Sequence, residues 1–175
     1  MSPTHLVLPD YVQSGLRVLF VGINPGLRSA AIGHHFAGHS NRFWKLLFES
    51  KLVSEPLRPE EDSRLLEWGL GLTNIVRRAT PGIDTLTADE YAAGRNRLIT
   101  VVRRHRPRLV ALLGVTIYRY LFPSQDRRPM SLGLQAQTLA GTQVFVLPNP
   151  SGRNAHYSYR TMLEVFRALR KEAGA

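Results

Sequence analysis

The run VLFVGIN, from Val18 to Asn24, is β-branched, apolar or glycine until its last residue, where a carboxamide appears and the chain breaks at once through Pro25 and Gly26. An Asn in that place either caps the turn through its own side chain or is aimed into a pocket. Aimed into a pocket, it can orient a water or a polar ligand, although an amide is a poor general base. A stronger activator of water, Asp84, lies in TPGIDT. Asn149 opens NPSGR, where it either hydrogen-bonds a ligand or shapes the turn. Phe36 lies in the Gly- and His-rich GHHFAG instead of a periodic apolar face, which favours a ring that meets a ligand over one that fills a core.

The available chemistry is limited to oxygen and nitrogen groups. The chain has no cysteine, which excludes disulfides, thiolate metal sites, iron–sulfur ligation and cysteine nucleophiles. GINPG lacks the spacing and the lysine of a phosphate loop, and no G-x-G-x-x-G follows, so nucleoside-triphosphate hydrolysis is a poor reading. His34, His35 and His39 do not match common zinc-ligand spacing, and no metal is expected. With 23 Lys plus Arg against 13 acids, the formal charge of +10 favours polyanions, nucleic acid first among them. The histidines are then expected to face solvent or DNA. RRHRPR, from Arg103 to Arg108, reads as the solvated last turn of a helix, where cations suit the dipole.

These residues need a scaffold, and the pattern around them supplies one. At 175 residues and 43% apolar content, the chain is expected to form a single domain over 1–175 with a real core. Short apolar runs at Arg17 to Gly22, Leu70 to Val76, Leu109 to Gly114 and Gln143 to Leu147 read as strands buried on both faces. Helical patterns fall at Asn41 to Lys51, Glu60 to Trp68, Ala88 to Arg104, Val115 to Phe122 and Tyr157 to Ala173. Thr87 and Glu90 form a capping box for the third, and Ser40 or Asn41 can cap the first. In NRFWKLLF, Phe43, Trp44, Leu47 and Phe48 fall at helical spacing and read as core. The alternation predicts a three-layer α/β/α sandwich around a short, mostly parallel four-stranded sheet. INPG, TNIVRRATPG and PNPSGR each follow a strand, so they share the carboxyl rim where such sheets collect ligands. MSPTHLVLPDYVQSG lacks the features of a secretory signal, and a cytoplasmic protein is expected.

GINPGLRSAAIGHHFAGHSNRFWKLL, GLTNIVRRATPG and VLPNPSGR together resemble the mismatch-specific uracil and thymine DNA glycosylases of the uracil-DNA glycosylase superfamily, in order and spacing, from about Leu16 to the last helix. The resemblance implies a cofactor-free monomer, nucleoid-associated, that acts on double-stranded DNA containing G·U or related mismatches. It would flip uracil out of the stack, cut the N-glycosidic bond and leave an abasic site. No lysine stands where a Schiff base would require one, so no strand nicking is implied.

By that resemblance Asn24 positions the attacking water and Phe36 stacks on the flipped base, with Asp84 an accessory. Ile23, Gly26, Ser29, His35 and Asn149 would complete the base pocket, the Ser29 hydroxyl crowding a thymine methyl. Pro150, Ser151, Gly152 and Arg153 would form the loop that enters the duplex. Arg153 would act there as a wedge, or else as an ordinary phosphate contact. A DNA-binding module without turnover, and a hydrolase of free nucleosides, remain as alternative functions.

Overall fold

The computed structural model describes residues 7–123 and 131–174; the first six residues of the stretch tested for a secretory signal lie outside them. Five strands form one sheet: β1 (Val18–Gly22), β2 (Leu70–Asn74), β3 (Leu109–Leu113), β4 (Gly133–Leu139) and β5 (Thr142–Leu147). Their order is β2-β1-β3-β5-β4. The β1/β2, β1/β3 and β3/β5 pairings are parallel, and β4 pairs antiparallel with β5. The four expected strands are β1, β2, β3 and β5; the fifth, β4, corrects the expected count and makes the sheet mixed.

That edge strand reads GLQAQTL, with alternate residues half-buried and exposed, and Leu134 is 43% exposed. A search for fully apolar runs passes over it. The turn into β5 is Ala140-Gly141, with φ of 49° and 84°. Two left-handed residues match the tight hairpin turn whose twist suits the flanking strands.

Among the described residues the α-helices are α1 (Leu27–Ile32), α2 (Phe43–Glu49), α3 (Ala88–His105), α4 (Val115–Leu121) and α5 (Tyr159–Glu172). On one face of the sheet, α2 and α5 bring Phe43, Leu46, Leu47, Met162, Phe166 and Leu169 against Phe20, Leu72, Ala111 and Phe145. On the other, α3 and α4 bring Leu98, Val102, Ile117 and Leu121 against Leu19, Val21, Val110 and Val146. Alternate residues of β1 and β3 therefore serve opposite layers, which is why these two strands carry no polar side chain. Phe20 and Phe166 are fully buried, at the kind of site where truncation to Ala costs about 3–5 kcal/mol.

Phe48 departs from expectation: it is 40% exposed, because the short α2 turns that face away from the sheet. The Glu60 to Trp68 pattern is helical but tightened into 3-10 turns over Pro59–Trp68, with non-helical backbone at Glu61. The expected Ser40 or Asn41 cap of α2 is corrected to Arg42, whose side chain makes no capping bond, while Asn41 Oδ1 accepts the Phe43 N–H at 2.9 Å from one residue further out. The Thr87/Glu90 capping box is present on α3.

Candidate active site

β1 and β2 end side by side, with Gly22 paired to Asn74. Beyond them the two rim loops remain joined: Ile75 N–H donates to Gly22 O at 2.9 Å, Val76 N–H to Ile23 O at 2.8 Å and Thr80 N–H to Pro25 O at 3.2 Å. Asn24 projects from the first loop into the second. Its Nδ2 donates to Arg78 O at 2.9 Å and to Thr80 Oγ1 at 2.8 Å. Thr80 in turn donates its hydroxyl to Gly82 O. A hydroxyl has one proton, so with that proton on Gly82 the oxygen can only accept, and the Asn24 atom facing it must be the amino group. Asn24 Oδ1 is left as an outward acceptor with no hydrogen-bond partner among the described residues.

Asp84 stands exposed in the 3-10 turn Ile83–Thr85, and no hydrogen bond joins it to Asn24. The carboxylate that organises this loop is Glu90, which receives Arg78 Nε at 2.8 Å and Nη2 at 3.2 Å while Nη2 also reaches Thr85 O at 3.1 Å. The Arg78 guanidinium and the Thr87 N–H hold the Glu90 carboxyl down at about 2.

Two residues before Asn24, an aromatic ring and a carboxamide come together at Gly22. Phe36 sits at φ 52°, a left-handed conformation uncommon for an aromatic residue, with its ring centroid 4.2 Å from that of Phe43. A Cβ at Gly22 would stand 2.5 Å from Asn74 Oδ1 and 3.6 Å from Phe36 Cζ. Glycine at 22 is thus what lets the Asn74 carboxamide and the Phe36 ring meet at the strand ends. Ser29 is buried, and its Oγ accepts the Ala37 N–H at 3.0 Å; Arg28 Nε donates to Ala37 O at 2.9 Å. Both contacts fix the loop that presents Phe36. Ile23 is buried in the α3/α4 layer, and Gly26 is exposed at the start of α1, its carbonyl receiving Ala30 N–H.

The histidines do not all face outward. His35 is 2% exposed: its Nε2 lies 2.8 Å from Pro9 O, its N–H donates to Asp62 Oδ2 at 2.9 Å, and its carbonyl accepts Trp44 Nε1–H at 3.1 Å. Burial lowers its pKa from the usual imidazole value. His34 is partly exposed and pairs with Asp62 Oδ1 at 3.2 Å, whereas His39 is exposed. Burial and the neighbouring Asp62 push the Tyr11 hydroxyl up to about 12.

The loop after β5 closes the rim. Asn149 Oδ1 accepts the Ser151 N–H at 3.0 Å, and Asn149 O accepts Asn154 Nδ2–H at 2.9 Å, so this side chain shapes the turn. Arg42 fastens the loop to α2: its N–H donates to Pro150 O at 3.0 Å and its Nη2 to Ser151 O at 3.1 Å and Asn154 O at 3.3 Å. A Cβ at Gly152 would overlap the Ser40 side chain, so the glycine is needed for packing within the chain. Arg153 is exposed and donates from Nη1 to Pro81 O at 3.2 Å, joining this loop to the one that holds Asn24.

Asn74, Thr80, Asp62 and Arg42 are parts of the site that the sequence expectations do not include. Asn74 gave a usable signal, since GLTN ends in an amide as VGIN nearly alongside does. Thr80, Asp62 and Arg42 gave none, because their partners are distant in sequence.

A carboxamide whose oxygen has no partner among the described residues, the Phe36 ring close to Asn74 and a clamped loop stand together on the carboxyl rim of a three-layer α/β/α fold. Residues 9–170 match the family model described as the uracil DNA glycosylase superfamily, and the chain belongs to that superfamily. Its fold is similar to the solution NMR structure of a candidate uracil DNA glycosylase from Methanosarcina acetivorans, with a TM-score of 0.60 and 17% identity over 95% of this chain and 96% of that one.

Proposed function

We propose that the protein is a monofunctional glycosylase that removes uracil opposite guanine from double-stranded DNA. The observation that carries this reading is the pinned Asn24 carboxamide, its oxygen without a partner among the described residues, in a chain of this superfamily. The flipped base stacks on Phe36, and Asn74 hydrogen-bonds its polar edge. Asn24 Oδ1 accepts a hydrogen bond from the attacking water and aims the water oxygen at the sugar C1′. The bond from C1′ to the base breaks with its electron pair leaving on the base, and the water's proton passes to solvent or to that anion. An amide suffices because the sugar is already cationic when water arrives, so orientation outweighs basicity. Arg153 fills the gap left by the base, its guanidinium donating to the unpaired guanine or to phosphate. The protein works as one domain, as a monomer, without a cofactor, in the cytoplasm at the nucleoid.

The test is single-turnover cleavage of labelled duplexes carrying G·U, A·U and G·T, and of single-stranded uracil. Alkali-dependent breaks at G·U, with slower reaction at G·T, are expected. Binding without cleavage of any substrate, at any salt concentration, would leave only a DNA-binding module.

A further inference from the structure

His35 and Asn74 meet behind the strand end at Gly22 through atoms whose roles can be assigned. The Pro9 carbonyl at 2.8 Å from His35 Nε2 can only accept, so the ring proton sits on Nε2 and Nδ1 keeps its lone pair. Asn74 Nδ2 lies 3.5 Å from that Nδ1. Turned the other way, the carboxamide would oppose its oxygen to the lone pair, two acceptors facing each other. The orientation seen leaves Asn74 Oδ1 at the Gly22 and Phe36 side, accepting no hydrogen bond among the described residues and not sealed from solvent.

We propose that His35 is a positioning residue: its neutral Nε2–H tautomer locks the Asn74 carboxamide so that the pocket accepts a 4-keto pyrimidine and rejects a 4-amino one. The proposal rests on the glycosylase reading above. Uracil offers an N3–H donor beside an O4 acceptor, matching Asn74 Oδ1 and the remaining Nδ2–H. Cytosine offers an N3 acceptor beside an amino donor, and both contacts become repulsive. A site built to pair with one polar edge rejects its inverse strongly, because the buried groups are left unpaired.

Protonation would undo the lock, since both ring nitrogens of an imidazolium donate and Asn74 would turn its oxygen toward Nδ1. Around the ring, Asp62 and Asp10 favour the proton and His34 opposes it, while the Tyr11 ring stands edge-on at 5.7 Å. Asp10 is itself held by Arg77 and Arg97, and Arg97 also donates to Asn74 O. Burial is the largest influence and keeps the ring neutral below the usual histidine range. Uracil reading is therefore retained at neutral pH and lost in acid.

The experiment compares single-turnover excision of 5-fluorouracil and 5-fluorocytosine opposite guanine, a pair sharing the same C5 substituent. His35→Leu removes the acceptor at Nδ1, whereas His35→Asn keeps an acceptor near it. Expected is a fall of about 10-fold or more in the uracil-to-cytosine rate ratio for His35→Leu, largely restored in His35→Asn. An unchanged ratio in an active His35→Leu protein overturns the lock. Nitrogen-15 NMR of the wild-type protein reads the tautomer without any substitution: a proton on Nε2 with Nδ1 bare supports the proposal, and a proton on Nδ1 overturns it. Wild-type protein that cuts neither base sinks the glycosylase reading separately, with the NMR result still deciding the lock.

Discussion

An amide has no acid–base power to lend, so on the proposed reading Asn24 would contribute an oxygen held at one place, and its carboxamide is fixed by Arg78 O and Thr80 Oγ1. Asn24→Ala is expected to slow the chemical step by about 100-fold or more while duplex affinity stays nearly intact, the signature of an interaction made in the transition state. Single-turnover rates beside binding isotherms would show it; an unchanged rate would reassign Asn24 to turn geometry. Thr80→Val keeps the volume and removes the hydroxyl that distinguishes the two ends of the carboxamide. It should slow excision by about 10-fold, with Thr80→Ser near wild type, and equal rates for both variants would deny Thr80 a part in orienting Asn24. Asn24 was legible because its motif is local, an apolar run broken at an amide. Asn74 ends a similar run, but its value comes from register with Gly22, which is a fact of pairing between strands. His35 reads as one of three outward histidines until Asp62, 27 residues away, and Pro9 enclose it. Asp62 itself sits in PEEDSR, which in sequence looks like a solvated acidic turn.

Among the elements, the strands buried on both faces announced themselves, since β1, β3 and β5 have no need of polar residues within the layers they separate. The edge strand β4 did not, because half of it faces solvent and a glycine and two glutamines dilute its pattern. The six-residue α1 was hidden by the turn residues before it, and it ends on Gly33 in the left-handed conformation. The loop from Arg77 to Leu86 was placed on the rim by its position after β2, but its shape depends on the Arg78–Glu90 pairing, which ties it to the first turn of α3. With the folded Glu90 carboxyl lowered to about 2, this pairing is intact above the ordinary carboxylate range and is lost as pH falls through about 2. Glu90→Gln removes the charge at neutral pH. Amides of residues 78 to 85 should then exchange faster and excision should slow several-fold, because Arg78 O and Thr80 no longer hold Asn24 as firmly. Unaltered exchange across the loop would show that the clamp is redundant with the Thr80 N–H to Pro25 O bond.

For the molecule as a whole, a charge of +10 predicts affinity for DNA but not which face meets it. The structure separates two basic regions. Arg103, Arg104 and Arg106 lie at the end of α3, which runs back to the amino ends of the strands, while Arg28 and Arg153 lie at the carboxyl rim beside Asn24 and Phe36. Many of the acids are engaged elsewhere: Arg64 gathers Glu55, Glu61 and Glu67, and Asp10 and Glu90 hold Arg77 and Arg78. Among the described residues these exposed cations pair with no acid, and the two ends of the sheet are farther apart than the roughly 8 Å over which physiological salt screens a charge. If the duplex lies across the rim, Arg103→Gln with Arg104→Gln should leave the salt dependence of duplex binding almost unchanged, although it removes two positive charges. Arg153→Gln removes only one, yet it should lower the slope of log K against log salt by about one unit if the guanidinium meets phosphate. If Arg153 instead fills the gap in the stack, the slope should hold and uracil removal should slow far more in duplex than in single strands. Titrations at several salt concentrations, with single-turnover rates on both substrates, distinguish these outcomes. A larger loss of slope from the α3 pair than from Arg153 would place the duplex at the opposite end of the sheet and remove the rim from contact with DNA.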